Sequence, residues 1–395
     1  MKQSMNTHYY IYIGMSILLM LVSSCRGDEY IVFSEETDTG GEVVLSDIVG
    51  MYVLNEGNMG SNKATVDYLD LSGNHETVRY FRNIYSERNP NTVKELGDVG
   101  NDIQIYGSQL WMVINCSNKV EVAIADSCRK IAKIDIPNCR YLAFDGGYAY
   151  VSSYVGPVSI SNDAPLGRIY KVDTLTFEKV DSVVVGYQPD ELTILDGKIY
   201  VANSGGYRVP NYDKRVSVID ISTFTVERSI DVYPNLHRIR ADKYGQLWVT
   251  SRGDYYKNPA CLIWMYENNS GEMVVGDTIN TAVSDMCIVG DSLYYVGVAF
   301  NYETFSNQIT YGIINVRTHQ AVTTQLFSAP EIAGIEMPYG IIVNPINRDF
   351  YIMDAKNYVS SGELLHFHAD GTFDWRVWTG DIPAHAVFVY KKREE

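Results

Sequence analysis

Tyr207, Arg208 and Tyr212 crowd the stretch SGGYRVPNYD, which is set between two runs of alternating apolar residues. Tyrosine offers a large, stiff ring with a polar tip, and arginine a planar fork of N–H donors. Such groups build affinity from contact area and hydrogen bonds; alone they break no bond. The same residue types return at intervals along the chain. Arg252, Tyr255 and Tyr256 fall in SRGDYYKNPA, Tyr154 in SYVGPVSISNDAPLG, Tyr302 in AFNYETFSNQ and Tyr358 in AKNYVSSGE. Asn55 and Asn58 fall in NEGNMGSNKA. These residues are the candidate ligand-binding set.

Histidine is the side chain that could add acid–base or metal chemistry, and the chain has 7. His237 and His385 each open an apolar run after a loop, which aims both at the same face as the tyrosines, so they join the set. His366 and His368 alternate about Phe367 with no carboxylate beside them in sequence, so neither a metal nor a cofactor is expected. Asp102, Asp190 and Asp285 recur at the start of comparable apolar runs. A carboxylate placed there pins backbone N–H groups more readily than it works as an acid or base. The chain contains no GxSxG, HExxH, phosphate-loop or EF-hand motif. No catalytic residue is assigned, and the protein is not expected to be an enzyme. An enzymatic alternative would need Arg140, His237, Arg252 and His385 to meet.

The elements that must position these residues repeat one pattern: an apolar run, a tight turn, an aromatic-Val run, a loop, and two further alternating runs. It is visible in IQIYGSQLWMVIN, LAFDGGYAYVSS, LTILDGKIYVAN, IRADKYGQLWVTS, MCIVGDSLYYVGV and IIVNPINRDFYIMD. Period-2 alternation bounded by Gly, Asp and Asn reads as strands, and helical periodicity is scarce. Each unit supplies four short strands, A to D. A sheet this small cannot bury both faces alone, so like units must stack around an axis. Six complete units begin near Asn101, Arg140, Asp190, His237, Asp285 and Tyr339. A first copy, GMYVLNEGN, lacks its A strand, and the C-terminal IPAHAVFVY is an A strand with no successor. The fold class expected is all-β: a seven-bladed β-propeller over residues 46–391, its ring closed by the last strand joining the first blade. In such a ring the B–C and D–A connections share one face, and all the quoted Tyr- and Asn-rich loops are B–C connections.

The N-terminus reads differently. Lys2 precedes an apolar stretch over residues 9–22 that is shorter than the roughly 20 residues a spanning helix needs. It ends in LVSSC. That string resembles a bacterial lipobox, which makes residues 1–24 a lipoprotein signal peptide and Cys25 the lipidated residue. The following RGDE resembles the acidic surface-export signal of Bacteroidetes lipoproteins. Residues 25–45, with the polar EETDTGGE, read as a flexible tether. The chain carries a net charge of −16, and loss of Lys2 makes it one unit more negative. That balance disfavours nucleic acid and anionic headgroups, leaving the membrane as a partner only through the lipid anchor. Five cysteines would remain, odd in number and without CxxC spacing. They read as small buried hydrophobes, with a bridge among Cys116, Cys128 and Cys139 left open.

The repeated GKIYVAN…VSVIDISTFTVERSIDV phrase is similar to the YncE-like, surface-layer type of seven-bladed propeller. Together with the lipobox, the acidic cluster and YVLNEGNMGSNKATVDYLD, it resembles the BtuG-type cobalamin-binding surface lipoproteins of gut Bacteroidetes. The resemblance implies a surface-exposed outer-membrane lipoprotein that binds cobalamin and related corrinoids and hands them to a TonB-dependent outer-membrane transporter. The alternatives are a glycan- or protein-binding propeller and a lactonase- or lyase-type enzyme.

Overall fold

The computed structural model describes residues 34–92, 95–301, 306–324, 326–327 and 334–392. Cys25 and the leader lie outside them, as does Tyr302. The described strands form seven antiparallel sheets. Six are four-stranded and run A to D in sequence order, from Gly100–Tyr106 in the second blade to Phe373–Asp381 in the seventh. The first blade takes its innermost strand from the chain's other end. Pro383–Tyr390 pairs with Ile48–Asn55 from Ile48↔Tyr390 to Asn55↔Pro383, closing the ring as expected.

The burial pattern explains why these segments stack. B strands such as Leu247–Ser251 and Phe350–Asp354 are buried along their whole length, because each sheet is packed on both faces by its neighbours. An outer D strand such as Thr225–Asp231 alternates exposed and half-buried residues. The apolar core is accordingly divided into seven clusters, each lying between two adjacent blades. On the narrow face the A–B turns are minimal. Leu195 pairs with Lys198 across Asp196 (φ 48°) and Gly197 (φ 73°), the two left-handed residues that a twisted two-residue hairpin requires.

The tether expectation needs correction. Glu35–Glu42 is a fifth strand on the outer edge of the first blade, antiparallel to Thr77–Arg82. Its acidic residues meet two arginines on that neighbour. Arg79 lies 3.4 Å from Asp38 and 3.9 Å from Glu36, and Arg82 lies 3.5 Å from Glu35. Gly41 lets the strand approach Trp375, since a Cβ there would fall 2.3 Å from the indole Nε1. All five cysteines in the described residues are free.

Carboxylates stitch the innermost strands together across blade boundaries. Asp102 accepts the backbone N–H of Leu142 (2.9 Å), Glu191 that of Ile239 (2.7 Å) and Asp285 that of Ile341 (3.0 Å). The expected role is right for Asp102 and Asp285. The residue that plays it in the fourth blade is Glu191, and Asp190, one position earlier, is turned to other work.

Candidate functional site: a funnel in the loop face

The B–C and D–A connections surround a cavity of about 1040 Å³ at one end of the central channel. Its mouth is aromatic. Tyr207, Tyr255, Tyr256, Phe300 and Tyr358 line it from four successive blades, with Met59 and Asn58 from the first blade. Tyr256 is 83 % exposed and Tyr255 55 %, so both rings stand free to meet a ligand. Tyr255 and Tyr358 both hold φ 63°, a left-handed conformation that a bulky residue rarely adopts. Asp254 fixes the first of them: its Oδ1 accepts the N–H groups of Tyr256, Lys257 and Asn258, and these bonds pull its carboxyl down to about 2. Asparagine adopts this left-handed conformation more readily than tyrosine. Tyr255→Asn, which tolerates that conformation, is therefore expected to leave the melting temperature nearly unchanged while weakening ligand capture about tenfold; parallel thermal melts and binding titrations check this.

The floor is polar. Arg140, Tyr141, His237, Arg238 and Tyr339 converge from the starts of three A strands, and Arg252 leans in from the loop above. Beneath them Asp190, fully buried, accepts the Tyr154 hydroxyl (2.6 Å) and pairs with Arg140 Nε (3.4 Å) and Arg252 Nη1 (3.2 Å). The Arg140 guanidinium also stands 4.8 Å from the centre of the Tyr154 ring. On the far side Glu56 accepts the Tyr339 hydroxyl (3.3 Å) and lies 3.6 Å from His385 Nε2.

His237 Nε2 sits 3.3 Å from the Tyr141 hydroxyl. Burial, with Arg252, Arg238 and Arg140 nearby, holds the imidazole well below its ordinary value, and burial pushes Tyr141 up to about 12. Both are neutral at physiological pH. A histidine depressed in the folded state binds fewer protons than it does unfolded, so stability falls as pH drops below about 6.5, by up to about 1.4 kcal/mol per unit. Melts from pH 7 to 5 should show a shallower decline in His237→Gln than in the wild type.

Of the candidate residues, Asn58, Tyr207, Arg252, Tyr255, Tyr256, Tyr358 and His237 line the cavity. The others do not. Asn55 is buried and donates to Thr65 Oγ1 (3.0 Å) and Asp67 Oδ2 (2.8 Å), clasping its B strand to the C strand. Tyr154 is buried under the floor as a prop for Arg140. Arg208 lies outside the funnel, 3.6 Å above the Tyr187 ring, and Tyr212 packs edge-on behind Tyr255 at 6.3 Å. His385 lines the lower, narrower cavity of about 640 Å³. Pro383 faces the last residue of its B strand and His385 lies two steps beyond; Tyr141 and Arg238 hold the equivalent position in the third and fifth blades and line the funnel, so strand position alone does not set which cavity a side chain meets.

Among the floor residues, Arg140 was considered for an enzyme but not for binding, and Tyr141, Arg238, Tyr339 and Glu56 were not singled out. The signal available was the position after the bulge in each A strand, which Arg140, Asp190, His237 and Tyr339 share. His366 lies away from the funnel, stacked on Tyr351 with its Nδ1 3.0 Å from Asp374, so carboxylates do flank it. Among the described residues no group of His, Cys, Asp or Glu is arranged to hold a metal, and no helix is long and apolar enough to cross a membrane.

The fold and the funnel define a seven-bladed β-propeller with an aromatic-mouthed, arginine-floored cavity on its loop face. The chain belongs to the DUF5074 family, a domain of unknown function, whose model matches residues 49–368. Among solved structures it is similar to a quinonprotein alcohol dehydrogenase-like protein from Bacteroides thetaiotaomicron, at 11 % identity and a TM-score of 0.59, over 87 % of this chain and 78 % of that one. It is also similar to Kuenenia stuttgartiensis hydrazine synthase, at 15 % identity and a TM-score of 0.57, over 72 % of this chain and 88 % of that one. Saccharomyces cerevisiae Sqt1 follows at 9 % identity and 0.53, over 89 % and 88 %. At these identities the likeness is one of fold. No curated protein matches the chain.

Proposed function

We propose that this protein is a cell-surface lipoprotein, anchored in the outer membrane through Cys25, that captures cobalamin and related corrinoids in the funnel. It then passes them to a TonB-dependent outer-membrane transporter. The observation that carries this reading is the funnel's size together with its lining. At about 1040 Å³ it stands at the top of the range of roughly 300–1,000 Å³ found for ligand pockets, so it has room for a large ligand. A corrinoid is large and rigid, with an apolar edge and many amide arms. Tyrosine rings at the mouth match the edge, and arginine, asparagine and phenol groups below match the amides.

Affinity on this reading comes from preorganised contact area, with no bond made or broken. The neutral His237, bonded to Tyr141 and ringed by arginines, is a contact residue and not a base. Cyanocobalamin retention in a spin filter tests the proposal, with wild type compared against Tyr207→Ala/Tyr255→Ala. Retention by the wild type and its loss in the double variant, with thermal melts intact, is the expected result. Retention that is equal in both places the ligand elsewhere. A preparation that instead turns over a lactone or uronate and stops doing so in His237→Ala replaces capture with catalysis.

A further inference from the structure

We infer that the floor of the funnel is an oxyanion site, so that the captured ligand presents a phosphate or carboxylate to the sector built by the third to fifth blades. This deepens the capture reading and rests on it. The positive side chains lining the cavity are Arg140, Arg238 and Arg252, all three in that sector, on a chain whose net charge is −16. The acidic residue in the lining, Glu56, stands on the first blade and is engaged by Tyr339 and His385.

The arginines are held from below with part of each fork left over. Asp190 takes Nε of Arg140 and Nη1 of Arg252. Arg238, 3 % exposed, gives its Nε to Asp285 (3.3 Å) and to the Ser284 carbonyl (3.4 Å), and its guanidinium sits 5.2 Å from the Tyr141 ring centre. Its Nη1 is buried and has no hydrogen-bond partner among the described residues. A buried guanidinium donor without an acceptor is costly, and a charged oxygen is the partner that best relieves it. His237, beside the same arginines, can donate or accept one further bond. A neutral amide arm could meet one of these donors, but three convergent guanidinium groups fit an oxyanion, which accepts from all of them.

The inference predicts a preference within corrinoids, because the nucleotide loop of cobalamin carries a phosphodiester that cobinamide lacks. Dissociation constants for cyanocobalamin and dicyanocobinamide should be measured at low salt on the wild type, Arg252→Gln and Arg140→Gln. The expected result is that the wild type prefers cyanocobalamin by about tenfold or more, and that each variant weakens cyanocobalamin binding more than cobinamide binding, so that the preference shrinks. Equal losses for both ligands, or a preference untouched by both variants, overturns the oxyanion site and leaves corrinoid capture standing. If the wild type binds neither corrinoid, the capture reading fails. The floor is then judged by sodium phosphate against sodium chloride of equal ionic strength. A rise in melting temperature in the wild type that Arg252→Gln abolishes sustains the oxyanion site, and no rise overturns it.

Discussion

Asp190→Ala is expected to destabilise the protein by about 3–5 kcal/mol, the cost of removing one partner from a buried charge cluster. The carboxylate is fully buried and is shared by Tyr154, Arg140 and Arg252, from three different parts of two blades' loops and strands. Without it the Tyr154 hydroxyl loses its acceptor in the interior, and two guanidinium groups face each other across the floor. Capture should fall with stability, because the arginines no longer hold their positions. Urea unfolding reads the effect as a shift in midpoint at constant slope. Asp190→Asn, which keeps the Tyr154 bond, should recover part of the stability and little of the arginine placement. A midpoint unchanged in Asp190→Ala would show that the cluster does not support the floor.

Removing residues 383–392 is expected to abolish cooperative folding. The strand Pro383–Tyr390 is the innermost strand of the first blade and packs in the two clusters on either side of it through Val389 and Phe388. Its loss leaves the inner edge of Ile48–Asn55 unpaired, with only Thr65–Asp70 on the other side, and opens the ring between the first and seventh blades. The contribution of a whole core strand exceeds the roughly 5–15 kcal/mol by which domains are stable. The truncated chain should lack a sharp thermal transition and partition into the insoluble fraction. A soluble product with a wild-type melt would mean that the ring closes without that strand.

The ring was legible because its evidence is local and repeated. Each blade writes the same strand–turn–strand phrase, and an orphan A strand at one end answers a missing A strand at the other. The mouth of the funnel was legible for the same reason: loop class follows from blade register, so Tyr207, Tyr255, Tyr256 and Tyr358 could be grouped before any geometry. The floor was less so. Residues at the same step of an A strand part ways: Tyr141 and Arg238 line the funnel, while Glu191 and His385 line the lower channel, so the repeat does not say which cavity a side chain meets. Asn55 was misread because a polar residue beside a loop looks available for binding. Asn203, at the same place in the fourth blade, is likewise buried and bonded to the Arg215 carbonyl at 2.7 Å, so the recurrence itself marks a clasp. Tyr154 and Tyr212 have the composition of a contact surface but back Arg140 and Tyr255, and Arg208 stacks on Tyr187 outside the funnel. In Glu35–Glu42 the polar, Gly-bearing composition reads as a tether, because its partners Arg79 and Arg82 belong to a strand whose pairing the local pattern does not reveal.

Calorimetric titration of the purified protein with cyanocobalamin decides whether the funnel captures a corrinoid. Saturable heat with one ligand per chain, a raised melting temperature in the complex, and loss of both in Tyr207→Ala/Tyr255→Ala are expected. No heat and no thermal stabilisation at micromolar protein would contradict capture.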